Sequence, residues 1–123
     1  MEDWRMKING TKFGSITIDG KVYGHDVAID LSGNIIKRKK KLSKKYYGTS
    51  HIISGDEARF LYQKGAKKLI LGTGQYDNVR LSKDARRFLD KKGCKVVSAD
   101  TPNALTIYNR SVARKIAMFH VTC

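Results

Sequence analysis

His51, His120 and Cys123 carry the widest chemical range in this sequence, because two imidazoles and a thiol suit either zinc coordination or nucleophilic catalysis. Their spacing completes neither arrangement. His120-x-x-Cys123 is a single pair with no second metal-type pair to match it, so hydrogen-bonded structural histidines are the simpler reading, and no metal or cofactor is expected. A Cys-His nucleophile needs a base and an orienting partner that spacing does not reveal, which leaves open whether the protein is an enzyme. Cys94, between a helix stop and a strand, has an inert setting.

Gly72-Thr73-Gly74 offers backbone donors to a phosphate, but Asp77 stands where a third glycine would complete a dinucleotide-binding fingerprint. No Walker A pattern occurs. A tight turn at a strand end accounts for the same glycines. Asp77 and Asp100 form a candidate carboxylate pair, yet Asp77-Asn78 fits an ordinary turn and Asp100 beside Thr101 fits a helix cap. His25 and Asp26 fall in hairpin sequence and receive no role.

Charge is the main compositional feature. Among 123 residues, 25 Lys and Arg oppose 11 Asp and Glu, giving a net +14 and an isoelectric point near 10.0. Seven of the cations, Lys37, Arg38, Lys39, Lys40, Lys41, Lys44 and Lys45, sit together, and setting them aside still leaves the difference of 14 and seven, +7. A field of this sign draws polyanions without specifying one. With Tyr46 and Tyr47 directly after it, the run has the charge and aromatic content that single-stranded nucleic acid uses. A solvated edge that deters aggregation is the plainer reading, and no RRM or KH signature accompanies the run. Non-specific nucleic-acid contact is therefore one expected partner class.

The elements that position these residues follow from pattern. The stretch Lys67 to Leu71 is a short apolar run stopped by Gly72 and Gly74, which reads as a strand buried on both faces. Upstream, Phe13 to Ile18, the turn Asp19-Gly20 and Lys21-Val22-Tyr23 predict a hairpin. Val27-Ala28-Ile29 and Ile35-Ile36 predict a second antiparallel pair about Leu31-Ser32-Gly33-Asn34. Ser54-Gly55-Asp56-Glu57 has the spacing of a reciprocal capping box, opening a helix with Ala58, Leu61 and Tyr62 inward and Gly65 as its stop. Ser82 caps a helix to about Lys92, with Ala85, Phe88 and Leu89 inward and Gly93 as the stop. Strand Cys94 to Ser98 follows. Thr101 then caps a helix with Pro102 at its first position and Ala104, Leu105, Tyr108 and Val112 buried, before a last strand, Ile116 to His120.

The fold class is thus α/β: a three-strand parallel strand-helix-strand-helix-strand core with a preceding helix and an N-terminal antiparallel β extension. Helices in such crossovers begin near the C-terminal edge of the sheet, so four loops should meet there: 47–55, 72–77, 99–101 and 120–123. Helix starts and free N–H groups make that edge the expected site for a small anionic ligand.

One domain, residues 1–123, is expected from the length, the 41% hydrophobic content and the lone proline, and its core needs no staples. The acidic N-terminus Met1-Glu2-Asp3-Trp4 lacks signal or transit character, no apolar run approaches a membrane span, and the two cysteines are expected as thiols. The expected compartment is the cytoplasm, away from any membrane.

Tyr47-Gly48-Thr49-Ser50-His51, Leu69-Ile70-Leu71-Gly72-Thr73-Gly74, Thr101-x-x-Ala104 with Tyr108-Asn109, and Phe119-His120-Val121-Thr122-Cys123 together resemble the Mth-nine-three-eight-like domain family over nearly the whole chain. That resemblance implies a small α/β domain with an antiparallel β extension and an unsettled biochemical activity. The family includes one-domain archaeal and bacterial proteins and, in eukaryotes, an adipogenesis-associated protein and a mitochondrial assembly factor for respiratory complex I. It implies a small-ligand or protein-binding module, assembly-factor-like in one branch, with a pocket formed by Gly48, Thr49, Ser50, His51, Gly72, Thr73, Gly74, Thr101, His120 and Cys123.

Overall fold

The computed structural model describes residues 6–112 and 114–123; the acidic start, residues 1–5, lies outside them. Three short strands come first: β1 (Ile8–Lys12), β2 (Ser15–Ile18) and β3 (Lys21–Tyr23), joined as an antiparallel sheet in that order. The β2–β3 turn is Asp19-Gly20, both at positive φ (48° and 81°), the geometry that matches strand twist in a two-residue hairpin. Next are β4 (Val27–Ile29) and β5 (Ile35–Lys37), an antiparallel pair. Their turn is organised by Asp30, whose carboxylate accepts from the N–H groups of Ser32 and Asn34 at 2.9 and 2.8 Å. The basic run then coils into helix α1 (Lys41–Tyr47), stopped by Gly48 at φ 68°. Strand β6 (Ile52–Ile53) and helix α2 (Gly55–Leu61) lead to β7 (Lys68–Thr73). After β8 (Arg80–Leu81), which pairs in parallel with β6, come α3 (Lys83–Lys91), β9 (Lys95–Ala99), α4 (Thr101–Arg110) and β10 (Lys115–His120).

The central sheet has the order β5-β4-β10-β7-β9. β7 pairs in parallel with both β9 and β10, as the strand-helix-strand pattern requires, while β4 runs antiparallel to β10 with Ala117 opposite Ile29 and Phe119 opposite Val27. The second predicted hairpin therefore extends the parallel core into one mixed sheet. Alternation within β7 and β10 divides the core into two layers. Leu69, Leu71, Ile116 and Met118 face α2 and α3, packing on Ala58, Leu61, Ala85 and Leu89. Ile70, Ala117 and Phe119 face α4 and the β1–β3 sheet, packing on Ala104, Tyr108, Ile8, Ile16 and Ile18. Cover on both faces explains why these strands are continuously apolar. No helix among the described residues is long and apolar enough to cross a membrane.

Several local expectations change. Val112 lies beyond the end of α4 and is 86% exposed, so the apolar period stops at Tyr108. Asp100, not Thr101, caps that helix, its carboxylate accepting from the Asn103 N–H at 3.0 Å. Ser54 does cap α2 through the Glu57 N–H, but Glu57 does not return the bond; the Ser54 N–H goes to Ser43 Oγ at 2.9 Å. That helix ends at Leu61, and Gly65, at φ 95°, instead turns the chain toward β7. Strand β1 lies outside the expected elements because its alternation is broken by Asn9-Gly10, and its Ile8 backbone is held by the Asn109 amide of α4.

Candidate functional site

Strands β7, β9 and β10 finish side by side at Thr73, Ala99 and His120, so the loops do meet at one edge. They meet closely enough to close it. Thr101 Oγ1 donates to the His120 carbonyl at 2.5 Å and accepts from the Gly74 N–H at 2.9 Å, while the Thr101 N–H returns to the Gly74 carbonyl at 3.0 Å. The N–H groups of Gln75 and Tyr76 bond to the carbonyls of Thr122 and Cys123, and those of Asn78 and Val79 to Thr73. Thr73 Oγ1 lies 2.5 Å from Asp77 Oδ1 and 3.0 Å from the Ala99 carbonyl. That hydroxyl holds the Asp77 carboxyl below the usual carboxylate range against the opposing effect of burial, and the Arg80 charge adds a lesser lowering.

The glycines permit this closure. A Cβ on Gly74 would stand 2.2 Å from the carbonyl carbon of Cys123, and its φ of 105° excludes most side chains. A Cβ on Gly72 would meet Phe119 at 2.7 Å and Thr101 Oγ1 at 2.9 Å. Donors expected to cradle an anion at Gly72, Thr73, Gly74 and Thr101 are thus engaged within the protein, and the glycines serve backbone approach. Gly48 and Thr49 belong to the end of α1, where Thr49 Oγ1 accepts from the His51 N–H at 3.1 Å. Cys123 enters the edge through its carbonyl. Among the described residues no group of three or more His, Cys, Asp or Glu is arranged to hold a metal.

Behind this edge lies a buried charged network. Arg38 is 4% exposed. Its Nε and Nη2 grip the Glu57 carboxylate at 2.6 and 3.0 Å, its Nη1 meets Asp26 at 3.0 Å, and Nη2 also donates to the Ser50 carbonyl at 2.6 Å. Ser43 Oγ donates to Glu57 Oε1 at 2.6 Å, sharing that oxygen with Arg38. Asp26 Oδ2 is 2.7 Å from His120 Nδ1, and Asp26 Oδ1 accepts from the Val121 N–H at 2.9 Å. His120 Nε2 is 3.1 Å from Thr122 Oγ1, so both ring nitrogens are occupied and neither is a free metal ligand. The His51 ring packs edge-on to His120 with centroids 5.3 Å apart.

The electrostatics follow from these contacts. Burial pushes the Asp26 carboxyl up, but the His120 bond and charge, the Val121 N–H and Arg38 together bring it down to about 2. Burial works against the Arg38 charge, yet Glu57 and then Asp26 outweigh it and fix the guanidinium in its charged form. Burial first, then the positive surroundings of His120, Arg38 and Lys40, moves His51 below its ordinary value.

Arg38 is thereby removed from the surface contacts expected of the basic run. The rest of the run divides. Lys45 pairs with Asp56 at 2.9 Å, and the Lys39 ammonium sits 5.1 Å from the centre of the Phe60 ring. Lys37 and Lys41 have no acidic partner among the described residues, and Lys40 Nζ lies 3.7 Å from Asp26. These three, with Arg38, Lys39 and Asp26, border a cavity of about 690 Å³ that Gly14, Gly24, His25 and Thr122 also line. Of the ten residues expected to bind a ligand at the sheet edge, none lines it. Sequence reasoning missed Asp26, Glu57 and Ser43 as parts of the site. Two signals were present: a carboxylate directly before the apolar run Val27-Ala28-Ile29, and a single arginine among six lysines, the residue type whose planar fork suits a buried carboxylate.

Comparison with known proteins agrees with this architecture. The family described as "Protein of unknown function (DUF498/DUF598)" matches residues 8–120. None of the curated proteins is a significant match. Among solved structures, the conserved hypothetical protein PH1505 from Pyrococcus horikoshii OT3 is similar at 34% identity and a TM-score of 0.89, covering 95% of this chain and 99% of that one. A protein named MT938 is similar at 25% identity and a TM-score of 0.83, covering 97% and 100%. A Mth938-like domain from Bordetella pertussis, solved in solution by NMR, shares the fold at 14% identity and a TM-score of 0.65, covering 98% and 90%.

Proposed function

The chain belongs to the DUF498/DUF598 family and has the Mth938-like fold, and for this member we propose an anion-binding module whose ligand enters the cavity beside the basic run. The observation that carries the reading is the cavity of about 690 Å³ bordered by Lys37, Lys40 and Lys41. That volume falls within the range of about 300–1,000 Å³ common to small-molecule sites. The buried network supports the same assignment. Glu57 and Asp26 are held by Arg38 and His120, so their charge is largely spent inside, while Lys37 and Lys41 have no acidic partner among the described residues. The local field in the cavity is positive, and an anion replaces the missing partner.

The test is calorimetric titration and thermal shift with phosphate, sulfate and small carboxylates. At about a hundred times the dissociation constant, a bound anion contributes about 2.7 kcal/mol. The triple variant Lys37→Gln, Lys40→Gln, Lys41→Gln should lose most of the effect. A variant with the same charge loss at Lys67, Lys91 and Lys92, away from the cavity, should keep it. Equal loss in both variants would assign binding to the diffuse +14 charge and overturn the reading.

A further inference from the structure

Two exposed aromatic rings belong to loops that reach this cavity through Gly14 and Thr122. Phe13 is 58% exposed and Tyr76 71% exposed, yet their centroids are 6.2 Å apart, tilted by 42°. An isolated exposed ring needs no explanation, but a pair from distant parts of the sequence has been positioned. The positioning is by backbone. Phe13 precedes Gly14, whose N–H bonds to the Val121 carbonyl at 2.8 Å; Tyr76 follows Gln75, whose N–H bonds to the Thr122 carbonyl at 2.7 Å, and the Tyr76 N–H reaches the Cys123 carbonyl at 3.2 Å. The Gln75 amide also donates to Thr11 Oγ1 at 3.0 Å, tying the two loops directly. Gly14 and Thr122 line the cavity together with Lys37, Lys40 and Lys41. The lining is therefore rich in cations, and the two exposed rings sit on loops joined to it through Gly14 and Thr122 without being part of it.

Inorganic anions use only the first of these. We infer that the cavity takes a phosphate ester bearing a planar aromatic base, a nucleotide, with the phosphate toward Lys37, Lys40 and Lys41 and the base against the Phe13 and Tyr76 rings. This inference rests on the anion-binding reading and adds the chemical class of the ligand. Stacking on aromatic side chains is tolerant of base identity, so a free mononucleotide and a nucleotide within a single strand present the same chemistry.

The experiment compares AMP, ribose 5-phosphate, inorganic phosphate and an oligothymidylate by calorimetry, with base-proton shifts followed by NMR. AMP should bind about tenfold or more tighter than ribose 5-phosphate, with its base protons moved upfield by the rings. Phe13→Ala with Tyr76→Ala, both exposed and safe for folding, should reduce AMP to the level of ribose 5-phosphate and leave inorganic phosphate unchanged. The triple lysine variant should weaken all of them. Tighter binding of the oligothymidylate than of AMP, again lost in the Phe13 and Tyr76 variant, would identify a single strand as the source of the nucleotide. If AMP and ribose 5-phosphate bind equally and both depend on the lysines, the nucleotide assignment is overturned while the anion site stands. If no phosphate compound binds, both readings fall.

Discussion

Replacing Arg38 by methionine keeps most of the side-chain stem and removes the guanidinium, which leaves Glu57 and Asp26 buried with their principal counter-charge gone. In the structure Arg38 makes two contacts to Glu57, one to Asp26 and one to the Ser50 carbonyl, and both carboxylate side chains are at most 1% exposed. Removing one partner of a buried ion pair costs about 3–5 kcal/mol, because the remaining charge stays desolvated. For a domain whose total stability lies in the range of about 5–15 kcal/mol, that is a large share. At about 4 °C per kcal/mol for a chain of this size, the melting temperature should fall by roughly 12–20 °C. Urea denaturation followed by far-ultraviolet circular dichroism measures the change directly. Arg38→Lys, which keeps the charge but not the fork, should fall between methionine and wild type. Arg38→Met combined with Glu57→Leu should recover part of the loss, since the orphaned carboxylate is then absent. A single methionine variant within about 1 kcal/mol of wild type, or a double variant no better than the single, would refute the account of the network as a mutually compensated buried group.

Acid should act through Asp26: its carboxyl is at about 2 in the folded chain against 3.8 unfolded, so the folded state is favoured by on the order of 2 kcal/mol above about pH 4, and this is lost as pH falls through about 2. Asp26→Asn should flatten that part of the stability profile, and an unchanged acid slope would show that other carboxylates dominate. His51 titrates in a higher window, since a depressed imidazole favours folding above the unfolded value near 6.5 and loses that contribution as pH drops below it; NMR titration should place its midpoint under 6.5. Gly74→Ala should cost several kcal/mol by clash and strain, whereas Gly20→Ala, also at positive φ but with nothing within 4 Å of the added carbon, should cost about 1 kcal/mol, and chemical denaturation of the two variants compares them. Deleting the chain from Ile116 onward removes the middle of the central sheet and should abolish cooperative melting; a truncated chain melting at the full-length temperature would contradict the placement of β10.

The parts legible in the sequence were those set by local pattern. Ser54 and Ser82 announced their helices because a cap is a contact three residues long, and both accept the expected N–H. The strands of the parallel core were visible because cover on both faces leaves an unbroken apolar run. What was hidden depended on partners far away in sequence. Glu57 fitted a capping box locally, but Arg38, 19 positions upstream, competes for its carboxylate and takes it. Arg38 was hidden among lysines for the same reason, since a charge run is read by composition while burial is decided by the Asp26 and Glu57 side chains it meets. The convergence at Gly72 to Gly74, Thr101 and His120 was inferable from topology, yet whether its N–H groups stay free depends on the path of residues 120–123, which no periodicity encodes.

The position of β10 also sets when the fold can form during synthesis. Asp26 and His120 are 94 positions apart, an interval of roughly 5–20 s at a ribosomal rate of about 5–20 residues per second. Until Lys115 to His120 has emerged, β4 has a partner only on its β5 side and β7 only on its β9 side. A nascent chain at that stage presents two apolar edges, Val27 to Ile29 and Leu69 to Leu71, that have no mate within it and are open to chaperones or to other chains. The one strand still to come fills both at once and, in doing so, carries His120 to Asp26.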